Sequence, residues 1–157
     1  MFRKRNVSVV VLFVFVSFFL DQLTKLFAVN YLRPFDPPVE IVGSILRLKL
    51  TFNPFGVFGI SVGSNELYYV LSIVGLAVLC YVALTVVDQD NVIVFGLLIG
   101  GAIGNLIDRV RFGYVIDFID MGVGNLRWFT YNLADAFITI GALFLLMREL
   151  FRKKIVE

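Results

Sequence analysis

The chain has 157 residues, is 59% hydrophobic and has a mean hydropathy of +0.90, which places it among membrane proteins and not ordinary soluble domains. One domain, residues 1–157, is expected at this length, and a net charge of +2 gives no sign of a nucleic-acid partner. The absence of histidine excludes Ser-His-Asp and Cys-His catalysis and HExxH zinc sites, while the single cysteine, Cys80, lies in an apolar run with no intrachain disulfide partner.

The first apolar run extends from Val7 to Val29 and follows Arg3, Lys4 and Arg5. No small-x-small cleavage site follows it, so it reads as a spanning helix and not as a removable signal peptide. Residues 30–66 are mixed. Pro34, Pro37 and Pro38 keep their first part non-helical. ILRLKLTF at 45–52 alternates apolar and polar residues with the period of a half-buried strand, and Gly43-Ser44 after Ile41-Val42 predicts a hairpin. Leu67 to Val87 is a second span without charge, and DQD at 88–90 is a tight polar turn. Asn91 to Ile107 is the third span and residues 108–131 are a second mixed connection. The fourth span, Asn132 to Met147, contains only Asp135 as a charge.

Basic residues flank both ends: Arg3, Lys4 and Arg5 before the first span, Arg148, Arg152, Lys153 and Lys154 after the last. The positive-inside rule then puts both termini in the cytoplasm. With that orientation Asp21, Lys25, Asp108, Arg109, Asp117, Asp120 and Asp135 all reach the outer leaflet, from independent segments. Ionisable residues at membrane depth are functional candidates by default. Asp21 and Lys25 are spaced i, i+4 with the acid first, which predicts a structural ion pair. Asp108 has Arg109 beside it as a compensating cation and shares a helix face with Asn105. Arg109 or Arg111 could contact lipid headgroups, and Arg109 could equally stabilise the local fold; the sequence does not choose. Gly96, Gly100 and Gly104 form GxxxGxxxG, a signature of close helix packing. Asp120 reads as a local structural acid.

Asp117 and Asp135 have no basic partner at helical spacing. Two carboxylates brought together at low dielectric do not both ionise: one keeps its proton and the other serves as base. That is the arrangement of an aspartic protease, and it equally suits a cation- or proton-handling site in a small transporter or ion-handling subunit. A cluster at one leaflet fits a translocation path less well, because such paths place charges nearer the midplane.

Four blocks carry a resemblance that decides between these: DQLTK (21–25), NPFGVFG (53–59), GNLIDRVRFGYVIDFID (104–120) and YNLADAFITIG (131–141). In content and order they resemble the lipoprotein signal peptidases, also called type II or prolipoprotein signal peptidases, over essentially the whole chain. The resemblance implies an all-α membrane protein with four transmembrane helices and a small extracytoplasmic β-cradle between the first and second helices. It implies an aspartic endopeptidase of the bacterial plasma membrane, with its active site at the outer face. Such enzymes remove the signal peptide from diacylglyceryl-modified prolipoproteins just before the lipidated cysteine. Carried over by motif, the catalytic pair is Asp117 and Asp135. The supporting residues are Asn53, Asn105, Asp108, Arg109, Asn132, Asp21 and Lys25. The expected partners are the prolipoprotein and membrane lipid; no cofactor or metal is implied, and four spans suffice to enclose the site in a monomer. Two departures stand out. Pro54 and Phe55 follow Asn53 so that Gly56 falls one place late, and Tyr131 replaces the usual Phe.

Overall fold

A computed structural model describes residues 4–55, 64–85 and 91–156. The DQD turn, Gly56 and Phe58 lie outside the described residues, as do the side chains of the basic tails at residues 3–5 and 152–154. In chain order the elements are α1 (Lys4–Tyr31), β1 (Val39–Val42), β2 (Leu46–Asn53), α2 (Asn65–Thr85), α3 (Val92–Phe112), β3 (Val115–Val123), β4 (Leu126–Arg127) and α4 (Leu133–Val156). The molecule is mostly helical, with one small antiparallel sheet in the order β1-β2-β3-β4.

Among the described residues, three helices are long and apolar enough to cross a membrane: Asn6–Tyr31 within α1, then α2 and α3, with mean hydropathies of 2.1, 2.3 and 1.6. The faces of α1 and α2 are largely exposed, as lipid-facing helices are, whereas α3 is mostly buried and packs against the other three helices. Its glycines make this possible. A Cβ at Gly96 would stand 2.5 Å from Phe13 Cβ, and one at Gly100 would stand 2.5 Å from the Val14 carbonyl and collide with Ser17 Oγ. On the α4 side, a Cβ at Gly101 would lie 2.8 Å from the Ala134 carbonyl. The GxxxGxxxG stripe is therefore the groove in which α1 lies, and backbone proximity replaces side-chain packing there. Cys80 joins the apolar cluster formed by Ala83, Phe95 and Ile99 as a half-buried, unpaired thiol.

The sheet corrects two sequence expectations. The cradle does not come only from the connection between the first two helices: β3 and β4 come from the connection between α3 and α4, and β3 pairs with β2 along most of its length. The third helix also runs past Ile107 to Phe112, where Gly113 at φ 78° caps it and donates its N–H to Arg109 O at 3.0 Å. Asp108 does not end the helix because it is neutralised inside the fold (below). β3 escaped notice because nearly every residue from Val115 to Asp120 is buried, on both faces, so no clean alternation is visible. The hairpin at Gly43-Ser44 and the strand at 45–52 are present as β1–β2.

The sheet rests on the end of α1 through Ala28, Leu50, Ile116 and Phe118. Just before α4, Tyr131 is bound to β3 by reciprocal backbone hydrogen bonds with Ile119 at 3.0 and 2.8 Å. This clamp fixes where α4 begins relative to β3, and so places the next residue, Asn132, beside Asp117.

Candidate active site

Five elements converge where α1, α3 and α4 meet β2 and β3. Asn132 precedes α4 and Asp135 is its third residue. Asn132 Oδ1 accepts the Asp135 N–H at 2.9 Å, and Asp135 Oδ2 faces the Asn132 N–H at 3.4 Å. This reciprocal pair is a capping box with Asp in the place usually held by Glu or Gln. Because its oxygen is held by the cap, the Asn132 amide nitrogen must point the other way. It donates to Asp117 Oδ1 at 2.8 Å and to Asn105 Oδ1 at 3.0 Å. The other Asp117 oxygen accepts from Asn53 Nδ2 at 3.0 Å.

Asn105 mirrors this arrangement. Its oxygen receives both Asn132 and the Lys25 ammonium, the latter at 3.0 Å, so its nitrogen is turned to Asp135 Oδ1 at 2.7 Å. Two amides, each fixed through its oxygen, thus hold one oxygen of each aspartate. The Asp117 side chain is buried, while Asp135 and Asn53 are half-buried, so the pair opens towards the surface on the Asp135 and Asn53 side.

Beneath the pair lies a buried ionic network. Lys25, 2% exposed, bridges Asp21 at 2.8 Å and Asp108 at 2.9 Å. Asp21 Oδ1 also accepts the Ala134 N–H at 2.9 Å, so a carboxylate of α1 sits at the positive end of α4. Asp108 Oδ2 accepts the Ile116 N–H at 3.2 Å. The partner of Asp108 is therefore Lys25 and not its neighbour Arg109. Arg109 turns instead to the carbonyls of Phe55 at 3.1 Å and Asn105 at 3.3 Å, tying α3 to the chain after β2. Gln22 escaped the sequence reading. Its Nε2 reaches Asp108 Oδ1 at 3.1 Å, Asp21 Oδ2 at 3.2 Å and the Gly104 carbonyl at 3.3 Å. Its position beside Asp21 and three residues before Lys25 was the available signal, since i, i+3 neighbours share a helix face.

Burial first, and the negative charge of Asp135 second, push the Asp117 carboxyl up to about 7. Asp120, three residues on, behaves in the opposite way. Burial raises it, but Arg47 (2.6 Å) and Arg127 (2.9 Å) outweigh burial and hold it below the usual carboxylate range. It is a sheet clamp: one oxygen binds β2 through Arg47, and the other binds Arg127 of β4, which also reaches the Ser44 carbonyl. Among the described residues, no group of three or more His, Cys, Asp or Glu is placed to hold a metal.

The sequence model of the signal peptidase (SPase) II family matches residues 13–151. The chain belongs to the signal peptidase II family. It is 41% identical over 145 residues to a lipoprotein signal peptidase of Caldicellulosiruptor bescii, covering 88% of this chain and 93% of that one. To the lipoprotein signal peptidase of Anaplasma phagocytophilum it is 36% identical over 149 residues, covering 94% of each. Its fold superposes on a solved bacterial membrane enzyme with a TM-score of 0.86 at 26% identity, covering 96% of this chain and 92% of that chain. A second bacterial membrane enzyme gives a TM-score of 0.78 at 27% identity. Signal peptidase II membership makes this a protease and a bacterial membrane protein, and the ion-handling alternative finds no support among the relatives.

Proposed function

We propose that this chain is the aspartic endopeptidase that removes signal peptides from diacylglyceryl-modified prolipoproteins, cutting just before the lipidated cysteine. The observation that carries the chemistry is the shared amide pair, Asn105 and Asn132, which holds one oxygen of Asp135 and one of Asp117 at 2.7 and 2.8 Å. Asp117 is the acid: burial and the charge of Asp135 raise its carboxyl to about 7, so it holds a proton up to that pH. Asp135 is the base: it lies in the first turn of α4, where the helix dipole favours the carboxylate.

In this mechanism Asp135 takes a proton from a water as the water oxygen attacks the scissile carbonyl. Asp117 gives its proton to the developing oxyanion. The tetrahedral intermediate collapses with a proton passing to the leaving amine, and the C–N bond breaks. Asn53 and Asn132 keep the Asp117 oxygens in place throughout. Lys25, Asp21 and Asp108 form the rigid base beneath.

The whole chain acts as one membrane domain. Here α4 completes a set of four spans, both termini face the cytoplasm, and the sheet and the aspartates lie at the outer face. A lipid-anchored substrate would be confined to that interface, which favours positioning over a three-dimensional search. The protein acts as a monomer in contact with bilayer lipid. The test is cleavage of a diacylglyceryl-modified prolipoprotein by the purified protein. Asp117→Asn and Asp135→Asn should each lower the rate about 10²- to 10⁴-fold while the protein stays folded. Near-normal cutting by either variant rejects the pair.

A further inference from the structure

The register of β2 against β3 contains an irregularity that decides which side chains face Asp117. Leu48 is opposite Ile119, but Thr51, not Leu50, is opposite Asp117. One extra residue is thus inserted into β2 at Lys49-Leu50, a β-bulge. With regular pairing, Leu50 and Phe52 would face the aspartate. The bulge exchanges the faces. Leu50 is buried with Phe118, Ile116 and Ala28, and the Phe52 ring lies 4.7 Å from Tyr114. Thr51 and Asn53 are left on the side of Asp117. The 3.0 Å hydrogen bond from Asn53 to Asp117 independently confirms which face this is.

Asn53 is accounted for; Thr51 is not. Directly opposed residues of an antiparallel pair have Cβ atoms about 4.5–5.5 Å apart on the same face, so the Thr51 side chain lies beside that of Asp117. It is half-buried, above an aspartate that is 1% exposed, and it makes no hydrogen bond among the described residues. The two Asp117 oxygens already receive Asn53 and Asn132, so the hydroxyl is not needed to hold the acid. A half-buried hydroxyl without a protein partner among the described residues, on the same sheet face as a buried acid, is available to whatever lies across that acid.

We propose that Thr51 binds the substrate's peptide backbone through its hydroxyl and holds the scissile bond over Asp117, with the Lys49-Leu50 bulge as the device that turns it to that face. The inference rests on the peptidase reading above and adds a substrate-positioning residue to it.

The experiment compares wild type, Thr51→Val and Thr51→Ser on a diacylglyceryl-modified prolipoprotein, with Asp117→Asn as the uncut control. Valine keeps the β-branched shape and removes only the hydroxyl; serine keeps the hydroxyl. Thr51→Val should raise KM about five- to tenfold with kcat within about twofold, the loss of one hydrogen bond made in both ground and transition states. Thr51→Ser should recover most of that loss, and thermal midpoints should be unchanged. In the Asp117→Asn background, Thr51→Val should weaken binding of the intact prolipoprotein by the same factor. Wild-type kinetics for Thr51→Val would overturn the proposal, as would failure of serine to rescue, which would make the residue a packing element. A fall in kcat at constant KM would also overturn it, because the hydroxyl would then serve the water. If the wild-type protein itself does not cut, the peptidase reading fails first and this assignment falls with it.

Discussion

The Asn132 amide donates to Asp117 while its oxygen caps α4 through the Asp135 N–H, at 2.8 and 2.9 Å. One side chain therefore links the start of a helix to the orientation of an acid on a strand. The two carboxyls are positioned by the same secondary-structure chemistry that starts the helix, so small shifts of α4 translate directly into the site.

The pH dependence follows from Asp117. Its folded value, about 7, lies above its unfolded value of 3.8. Below 3.8 the group is neutral in both states, and its stabilising contribution is fully present; it is lost as pH rises through about 7. Asp117→Asn is neutral at every pH and lacks this slope. The melting temperature of Asp117→Asn minus that of the parent should therefore rise between about pH 4 and about pH 7 and level off above that. The parent's cleavage rate should fall as pH rises through about 7, where folded Asp117 loses its proton. A flat difference in melting temperature would show that Asp117 is not the proton holder.

Lys25→Met should be among the most damaging single changes. It leaves Asp21 and Asp108, both within 3 Å of the ammonium, as buried unpaired carboxylates. Breaking a buried pair from one side costs about 3–5 kcal/mol, and here the Asn105 amide also loses the cation that fixes it. Expected outcomes are a large drop in melting temperature and poor recovery from membranes. Asp108→Asn should act mainly on stability, with folded material still cutting. Wild-type melting of Lys25→Met would contradict the network.

Gly100→Ala should uncouple α1 from α3, because the new Cβ meets the Val14 carbonyl at 2.5 Å as well as Ser17. Backbone cannot yield as a side-chain tip can, so overpacking of about 1–3 kcal/mol or more is expected. Gly75→Ala in α2, with nothing within 4 Å, is the control and should melt at or above the parent. Equal melting of the two variants would remove the glycine groove as an explanation of the helix packing.

Asp120→Asn should loosen the sheet without abolishing cleavage. It replaces an acceptor of two guanidinium groups, with charge-assisted hydrogen bonds worth about 1.5–3 kcal/mol. Because Asp120 is held below the usual range, its contribution is present above the unfolded value of 3.8 and is lost as pH falls through its lower folded value. Faster hydrogen exchange across β2–β4, with the cleavage rate retained to within about tenfold, is the expected result. Loss of all turnover with a parent-like melt would move Asp120 into the chemistry.

The sequence by itself determined what is local. Length and apolarity marked out three helices able to cross a membrane, period-two alternation marked the strand at 45–52, and the absence of histidine left acid–base work to Asp and Glu or to Lys and Tyr. GxxxGxxxG announced a close helix contact, and the ordered motif blocks pointed to the family. Tertiary structure decided what depends on distant segments. It took two of the sheet's four strands from beyond α3, because a strand buried on both faces has no alternation to read. It paired Asp108 with Lys25, 83 residues away, and not with the adjacent arginine. It also decided, through one extra residue in β2, that Thr51 and Asn53 face Asp117 while Leu50 enters the core. Facing in a sheet alternates with every residue, so a single-residue bulge reverses it, and nothing within the strand's own sequence records that reversal.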